Sequence, residues 1–185
     1  MLIKYAYVEN VPDLSVENYM DSFDDGEYLN HVAGLDGIDA CMGYVKKLIE
    51  NGYTMINLCG DFGSEQVAEL LRDAPEATEV KYAAYLPEEQ AKLEALEQYI
   101  EYGMIILGNV EEPVRRELAA PEMNTHIVYV KDLDQAVEAA RKFAEDGVDG
   151  IELCGWFDLE KTKAIIAAVE SVSKTIPVGS NGLEQ

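Results

Sequence analysis

The chain has 185 residues, of which 48% are hydrophobic and 27% charged, and 36 acidic residues against 14 basic ones give a formal net charge of −22. A chain of this length and apolar content can bury roughly 70% of its unfolded surface, which excludes an intrinsically disordered protein. The strong negative charge argues against binding to nucleic acid or to an anionic membrane surface, because both would repel it.

The cysteine content points to a reducing compartment. The three cysteines, Cys41, Cys59 and Cys154, form no CxxC pair and leave an odd count, which excludes a disulfide-stapled scaffold. The first ten residues lack the apolar core of a signal peptide, and no apolar run approaches the roughly 20 residues that cross a bilayer. These features predict a soluble protein of the cytoplasm.

In chain order, short β-branched runs predict eight strands, at 3–8, 31–35, 55–60, 79–86, 104–109, 126–130, 148–155 and 176–180. Apolar residues at helical spacing predict helices after most of them, at 38–49, from Ser64, within 131–147 and at 159–171. Asp132 with Gln135 resembles a capping box, and Gly147 occupies the place of a helix-terminating glycine. The stretches 14–23 and 114–120 have the weakest helical pattern and are expected to be irregular.

The chain also aligns with itself when it is shifted by 95 residues. Over residues 31–65 this shift gives eleven identities without a gap, including Leu58-Cys59-Gly60 on Leu153-Cys154-Gly155. The identities indicate an internal duplication, which predicts a first α/β repeat over 1–95 and a second over 96–185 in one compact domain.

Strands that alternate with helices predict mainly parallel sheets with right-handed crossovers. Two architectures fit the eight strands. One is a small TIM-barrel-like (β/α)8 fold made of two half-barrels, and the other is a pair of four-stranded open sheets. The length lies below the roughly 200-residue floor for barrels, whereas the two-fold repeat of eight strands favours one. We expect the barrel.

One motif in each repeat resembles a known family. The stretch GVDGIELCGWF, with the helix QAVEAARKFAEDG before it and a helix and IPVG after it, resembles the uncharacterised prokaryotic domain-of-unknown-function family 6506. Members of that family are single units of about one repeat, so the chain resembles a tandem duplication of the domain. The likeness covers most of 104–182 closely and 1–86 more loosely, through MINLCGDFG. It implies no established activity.

The chain departs from the family's pattern at two places. The second glycine after the Cys-Gly pair is Gly63 in the first repeat but Asp158 in the second, and the Arg-Phe-Asp segment after the closing strand is absent from both. The resemblance therefore supports no site that depends on that arginine and aspartate.

The two histidines are poor candidates for catalysis. Ligands of parallel α/β folds bind beyond the carboxyl ends of the strands, whereas His31 and His126 lie at the amino ends of their predicted strands. Capping or packing roles are expected for both. Because the chain has no other histidine, His-based acid–base catalysis and His-rich metal sites have little support, and we predict no metal site.

Glu152 is the strongest candidate for chemistry. Strand alternation in GIELCG places Glu152 and Cys154 on the face opposite Ile151 and Leu153. A carboxylate in a parallel strand is desolvated and must be paired or titrate abnormally, so it is either an acid/base or ligand anchor, or a structural carboxylate. Cys154 is a candidate nucleophile, although a small buried thiol is the commoner role. Asn57 replaces the glutamate in the first repeat.

The remaining candidates lie in or just after predicted strands, toward the carboxyl ends, where they would surround one mouth. They are Asn57, Cys59, Gly60, Asp61, Asn109, Gly155, Trp156, Ser180 and Asn181. The loop 60–64 could hold an anion on backbone N–H groups, but it has no P-loop lysine. Asp61 and Asp158 are expected to cap helices, and Trp156 either covers a ligand or packs at a subunit contact. Arg115-Arg116 could attract an anion, but a solvated pair beside acidic residues is the commoner case.

Two functions stay open from the sequence. The first is binding or conversion of a small molecule at the strand ends, with Glu152 as acid/base or anchor and with no cofactor identified. The second is a non-catalytic oligomerisation or regulatory module, with the chain a monomer or a homodimer. Whether Glu152 and Cys154 open onto a pocket distinguishes the two.

Overall fold

The computed structural model describes residues 1–184, which divide into two compact units, Met1–Tyr82 and a second that begins at Ala83. Residues 1–184 contain five helices and eleven strands, and the strands form two mixed sheets. Over the same residues, no helix combines the length and the hydrophobicity needed to cross a membrane.

The first unit has a five-stranded sheet with two helices. Its elements are β1 (Ile3–Asn10), β2 (Met20–Asp24), β3 (Tyr28–Leu35), α1 (Ile38–Glu50), β4 (Met55–Leu58), α2 (Ser64–Leu71) and β5 (Glu79–Tyr82). The strand order is β2-β3-β1-β4-β5. All neighbours are parallel except β2, which runs antiparallel to β3.

The second unit has a six-stranded sheet with three helices. Its elements are β6 (Ala84–Tyr85), α3 (Pro87–Glu94), β7 (Glu101–Leu107), β8 (Val114–Ala119), β9 (Asn124–Val130), α4 (Leu133–Asp146), β10 (Gly150–Leu153), α5 (Leu159–Glu170) and β11 (Val178–Ser180). The strand order is β6-β11-β10-β7-β9-β8. The two outermost strands, β6 and β8, are the antiparallel ones.

The two sheets repeat one topology. The order β2-β3-β1-β4-β5 of the first unit reappears as β8-β9-β7-β10-β11 in the second, and β6 is added beside β11. Equivalent residues of the two repeats also have equivalent partners in the sheet. Ile56 of β4 is opposite Val80 of β5, and Ile151 of β10 is opposite Val178 of β11. The duplication seen in the sequence is therefore present in the fold.

The strands do not form the expected TIM-barrel-like ring. The strands lie in two sheets, neither of which is closed, and this matches the alternative of two open sheets with five and six strands instead of four each. Parts of the two stretches that were expected to be irregular form strands instead, since 20–23 lies in β2 and 114–119 is β8. Each of these strands pairs antiparallel at the margin of its sheet.

The boundary between the units does not coincide with the end of a repeat. The predicted strand 79–86 is split at Ala83, so that β5 pairs with β4 while β6 pairs with β11. The repeat boundary between residues 95 and 96 is a different boundary, and it stays a prediction.

Local signals explain where α4 begins and ends. The Asp132 carboxylate accepts a hydrogen bond from the Gln135 N–H at 2.9 Å, so it caps the helix as predicted. Gly147 ends the helix with φ 78°, a left-handed conformation that favours glycine. Between them, Ala136, Ala140 and Phe143 are buried.

Cys41 lies in the core of the first unit, as its position on the apolar face of α1 predicts. The side chain is fully buried, and its thiol donates to the carbonyl oxygens of Leu35 and Glu9 at 3.6 and 3.7 Å. Burial raises the pKa of the thiol to about 12. A thiol with so high a pKa is not a nucleophile at neutral pH.

His31 packs inside the first unit. Its ring lies between Ser22 and Tyr44, with Nδ1 2.9 Å from the Ser22 hydroxyl and Nε2 2.6 Å from the Tyr44 hydroxyl. The Tyr53 ring lies 5.9 Å away, centroid to centroid. Burial lowers the pKa of His31 below its usual 6.5, and the nearby Asp21 opposes this shift only in part.

The lowered pKa of His31 predicts that the chain loses stability on mild acidification. Between the folded pKa and 6.5 the unfolded chain binds more protons at this residue, so the free energy of unfolding falls as the pH falls through this range. We expect His31→Gln to flatten the slope of the melting temperature between about pH 7.5 and 5.5, measured by circular dichroism. An unchanged slope in His31→Gln would contradict the assignment.

Candidate functional site

Glu152 lies in the middle of β10 with only 3% of its surface exposed. In the sheet it is opposite Met104 of β7 on one side and Gly179 of β11 on the other. Residues in register on parallel strands share a face, so Glu152 projects from the same face as Gly150 and the opposing Tyr102. The carboxylate of Glu152 is therefore shielded from solvent, as the sequence predicts.

Two tyrosine hydroxyls bind this carboxylate. The Tyr85 hydroxyl on β6 donates to Oε1 at 2.6 Å, and the Tyr102 hydroxyl on β7 donates to Oε2. A distance of about 2.6 Å is typical of a hydroxyl that donates to an ionised carboxylate. Each oxygen of the buried group therefore has a neutral donor, and the two donors come from different strands of the second unit.

Glycines make room for the aromatic rings around Glu152. A Cβ atom at Gly179 would lie 2.5 Å from Cζ of Tyr85, and one at Gly150 would lie 2.5 Å from Cε2 of Tyr99. Both separations are far below van der Waals contact. These strand glycines thus mark the close approach of tyrosine rings to the sheet.

The first unit has a reduced version of the same arrangement. Asn57 stands in place of Glu152, and its Oδ1 accepts a hydrogen bond from the Tyr5 hydroxyl at 2.9 Å. Tyr5 of β1 is opposite Met55 of β4, just as Tyr102 of β7 is opposite Gly150 of β10. The two tyrosines therefore occupy equivalent positions in the two units. The two repeats differ in the charge of the group that the tyrosine binds.

Cys59 and Cys154 occupy equivalent buried positions after β4 and β10. Each sulfur accepts a backbone hydrogen bond at 3.4 Å, Cys59 from Asn10 and Cys154 from Leu107. The two donors are the last residues of the equivalent strands β1 and β7. This common contact ties two strand ends together in each repeat.

Ser180 and Asn181 end the sheet of the second unit and are fully buried. The Ser180 hydroxyl donates to the Phe157 carbonyl at 2.7 Å, and the Asn181 amide group donates to the Leu153 carbonyl at 3.3 Å. Both side chains thus bind the backbone around the turn after β10.

The turns after β4 and β10 differ in how they begin the next helix. The Asp158 carboxylate accepts from the Lys161 N–H at 3.0 Å and caps α5, as predicted. Asp61 does not cap α2, because Gly63 holds that position and Asp61 accepts from the Asn10 side chain at 3.0 Å instead. Trp156 packs edge-on against Phe157 and under the Lys161 ammonium, which is 4.8 Å from its ring centroid.

The predicted site residues are divided between the two units. In the second unit Glu152 lies inside β10, and six others lie at or just beyond the carboxyl ends of parallel strands; they are Asn109, Cys154, Gly155, Trp156, Ser180 and Asn181. In the first unit Asn57 lies inside β4, and Cys59, Gly60 and Asp61 follow it. Over residues 1–184, no three histidine, cysteine or acidic side chains are grouped so that they could hold a metal ion.

Sequence reasoning missed the two tyrosines that bind Glu152. Tyr102 precedes the predicted strand 104–109, and Tyr85 was assigned to the first repeat. The glycine in IPVGS was the available signal, because a glycine inside a buried strand indicates that another group approaches closely. Nothing in a single sequence indicates that this group is Tyr85.

The segment that carries Tyr85 is held to the second unit by a further set of contacts. Glu89 of α3 is 1% exposed, and its carboxylate accepts from the Val178 N–H at 2.8 Å and from the Lys92 ammonium at 2.7 Å. Lys92 also binds Glu170 of α5 at 2.9 Å. Burial lowers the pKa of Lys92, but the hydrogen bonds to Glu89 and Glu170 outweigh it and the pKa is raised.

The close approach at Gly179 predicts a large effect from a single methyl group. Gly179→Ala would displace the Tyr85 ring from Glu152, and we expect a loss of about 1–3 kcal/mol of unfolding free energy in urea denaturation. Gly43→Ala is the control, because a Cβ there meets nothing within 4 Å. Placed inside α1, it is expected to stabilise by about 0.5–1 kcal/mol. Equal effects of the two substitutions would contradict the packing argument.

Comparison with known proteins agrees with the duplicated architecture. The model of the family described as "Family of unknown function (DUF6506)" matches residues 3–98 and again 100–184, two adjacent segments that together cover nearly the whole chain. No curated protein matches the chain. Since each half of the chain matches the same model, this protein belongs to the DUF6506 family as a tandem duplication of its domain.

Proposed function

We propose that this chain is a non-catalytic assembly module, in which one repeat completes the sheet of the next by donating a strand and a helix. The observation that carries the proposal is the set of hydrogen bonds that the Glu152 carboxylate accepts. Its buried carboxylate is bound by Tyr85 from the donated strand and by Tyr102 from the receiving sheet.

The donated segment is the end of the first family match. That match runs to residue 98, but from Ala83 onward the chain belongs to the second unit. β6 pairs with the margin of the sheet at β11, and Glu89 of α3 accepts the backbone N–H of Val178. Addition of a strand to a sheet edge is a common mode of protein recognition, in which main-chain hydrogen bonds supply affinity and side-chain pockets supply specificity.

Charge and shape make this attachment specific. The glycine at 179 admits the Tyr85 ring, and the carboxylate of Glu152 selects a hydroxyl donor at that position. Two charged groups of the segment also cross the junction, since Glu89 accepts the N–H of Val178 and Lys92 binds Glu170 of α5. A segment without the Tyr85 hydroxyl, the Glu89 carboxylate and the Lys92 ammonium would fit the β11 edge poorly.

A second candidate function is the binding of a small molecule at the carboxyl ends of the strands, with Glu152 as acid/base or anchor and Cys154 beside it. The feature that favours it is the placement of a buried carboxylate at the same end of the sheet as Asn109, Ser180 and Asn181. For either function we propose a cytoplasmic location, which three free, buried cysteines support.

Removing one hydroxyl at a time tests the role of Glu152. We expect Tyr85→Phe to destabilise the chain by about 1–3 kcal/mol, because one oxygen of a buried carboxylate loses its donor. Amide hydrogen exchange of residues 84–94 should speed up in this variant. Tyr5→Phe is the matched control, since it removes the equivalent hydroxyl from the neutral Asn57 in the first unit and should leave exchange at 84–94 unchanged. Unchanged exchange in Tyr85→Phe would contradict the assembly proposal.

A ligand screen separates the two candidate functions. Wild type and Glu152→Gln would be melted with a panel of divalent metals, sugar phosphates, nucleotides and small acids. A ligand at a hundred times its dissociation constant adds about 2.7 kcal/mol, or about 5–10 °C for a chain of this size. The assembly proposal predicts that Glu152→Gln melts earlier and that no ligand-induced shift depends on Glu152. A shift that the substitution abolishes would support the small-molecule site instead.

A further inference from the structure

The second unit has a cleft on the face of its sheet opposite Glu152. It has a volume of about 650 Å³ and lies on the α4 side of β8 and β9, at the amino ends of the strands. Glu101 and His126 lie at one side of it, bound to each other through His126 Nε2 and Glu101 Oε2 at 2.6 Å. The Asn124 side chain holds the other oxygen of Glu101 at 2.8 Å.

The equivalent place in the first unit is filled. The histidine common to both repeats, His31, is covered there by Tyr44 and Tyr53, whose ring centroids lie 6.0 and 5.9 Å from its own. The 95-residue shift places Ala139 and Val148 at these two tyrosine positions. Val148, which stands where the first repeat has Tyr53, lines the cleft, so the loss of that ring contributes to the space beside His126.

The floor of the cleft is apolar. Val128 of β9, Phe143 of α4 and Val148 line it, and all three are buried. Charged and polar side chains form most of the remaining lining; they are Glu101, Arg115, Arg116, Glu117, His126 and Asp146. An apolar floor with convergent polar groups around it can hold a small molecule.

The rim carries two opposite charges on the edge strand. Arg115 and Glu117 of β8 oppose Val128 and His126 of β9, so both project from the face that forms the cleft. They are two residues apart, which separates their backbones by about 7 Å. Both are exposed, and neither has an ion-pair partner among residues 1–184.

We propose that this cleft binds a free α-amino acid with an aliphatic or aromatic side chain. The Arg115 guanidinium would bind the carboxylate of the ligand in a bidentate fashion, Glu117 would bind its ammonium group, and the side chain would pack on Phe143 and Val148. A zwitterion suits this chain better than an anion does, because the net charge of −22 and the carboxylates at the cleft repel a negative ligand.

The ligand chemistry is tested with L-leucine and L-phenylalanine as probes, by isothermal titration and thermal melting of the full chain. At about ten times its dissociation constant, the amino acid should raise the melting temperature by about 3–6 °C. N-acetyl-leucine lacks the ammonium group and leucinamide lacks the carboxylate, so neither should bind. The proposal is overturned if both amino acids fail to bind at about 10 mM, which exceeds the ~1 mM dissociation constant of a weak site. Equal binding of leucinamide and leucine would overturn it too.

Two substitutions locate the binding site. Arg115→Gln alters an exposed side chain and should weaken binding of the amino acid at least about tenfold without a change in melting temperature. Val148→Tyr restores the residue of the first repeat and should abolish binding by filling the cleft. Lys131→Gln is the control, because it removes an exposed positive charge that does not line the cleft. Wild-type affinity in Arg115→Gln, or an equal loss in Lys131→Gln, would refute the site.

Discussion

The antiparallel pairing of β6 with β11 is the constraint on which the second unit depends. An open parallel sheet leaves a row of backbone donors and acceptors at its edge, and these must be paired or covered. Here β6 covers the β11 edge, and Glu89 accepts the amide of Val178. The chain has to leave the first sheet after Tyr82 to make this pairing, which sets the boundary between the units.

The buried carboxylates of this protein follow from the same constraint. Glu152 and Glu89 are almost fully buried, and each contacts a group on the opposite side of the β6–β11 junction. Burying a charged group lowers the stability of the fold unless the group is paired and hydrogen-bonded. Removing one partner of Glu152 or Glu89 should therefore destabilise the second unit. The two carboxylates favour one attachment of the segment over any alternative in which they would stay unpaired.

The two repeats keep a common frame while their side chains diverge. The strand order, the cysteine that accepts a strand-end amide and the tyrosine on β1 and on β7 are common to both units. Two of the differences change what a site can bind. Asn57 corresponds to Glu152, and Tyr44 and Tyr53 correspond to Ala139 and Val148.

Much of the fold could be predicted from the sequence, because its signals are local or repeated. Hydrophobic periodicity located the eight parallel strands and every helix of residues 1–184 except α3, and Asp132, Asp158 and Gly147 marked helix ends. The strands β2 and β8 were missed because five or six residues of mixed polarity carry little periodicity. The partners of Glu152 were missed for a different reason, since Tyr85 lies 67 residues away and belongs by sequence to the other repeat.

The position of the unit boundary also bears on how such a gene can evolve. In a simple tandem duplication either copy can be deleted and the other survives intact. Here a deletion at the repeat boundary would remove from the second sheet the strand and helix that cover its edge, because they are encoded with the first copy. The dependence therefore runs one way, since the second sheet uses a segment that is encoded with the first copy.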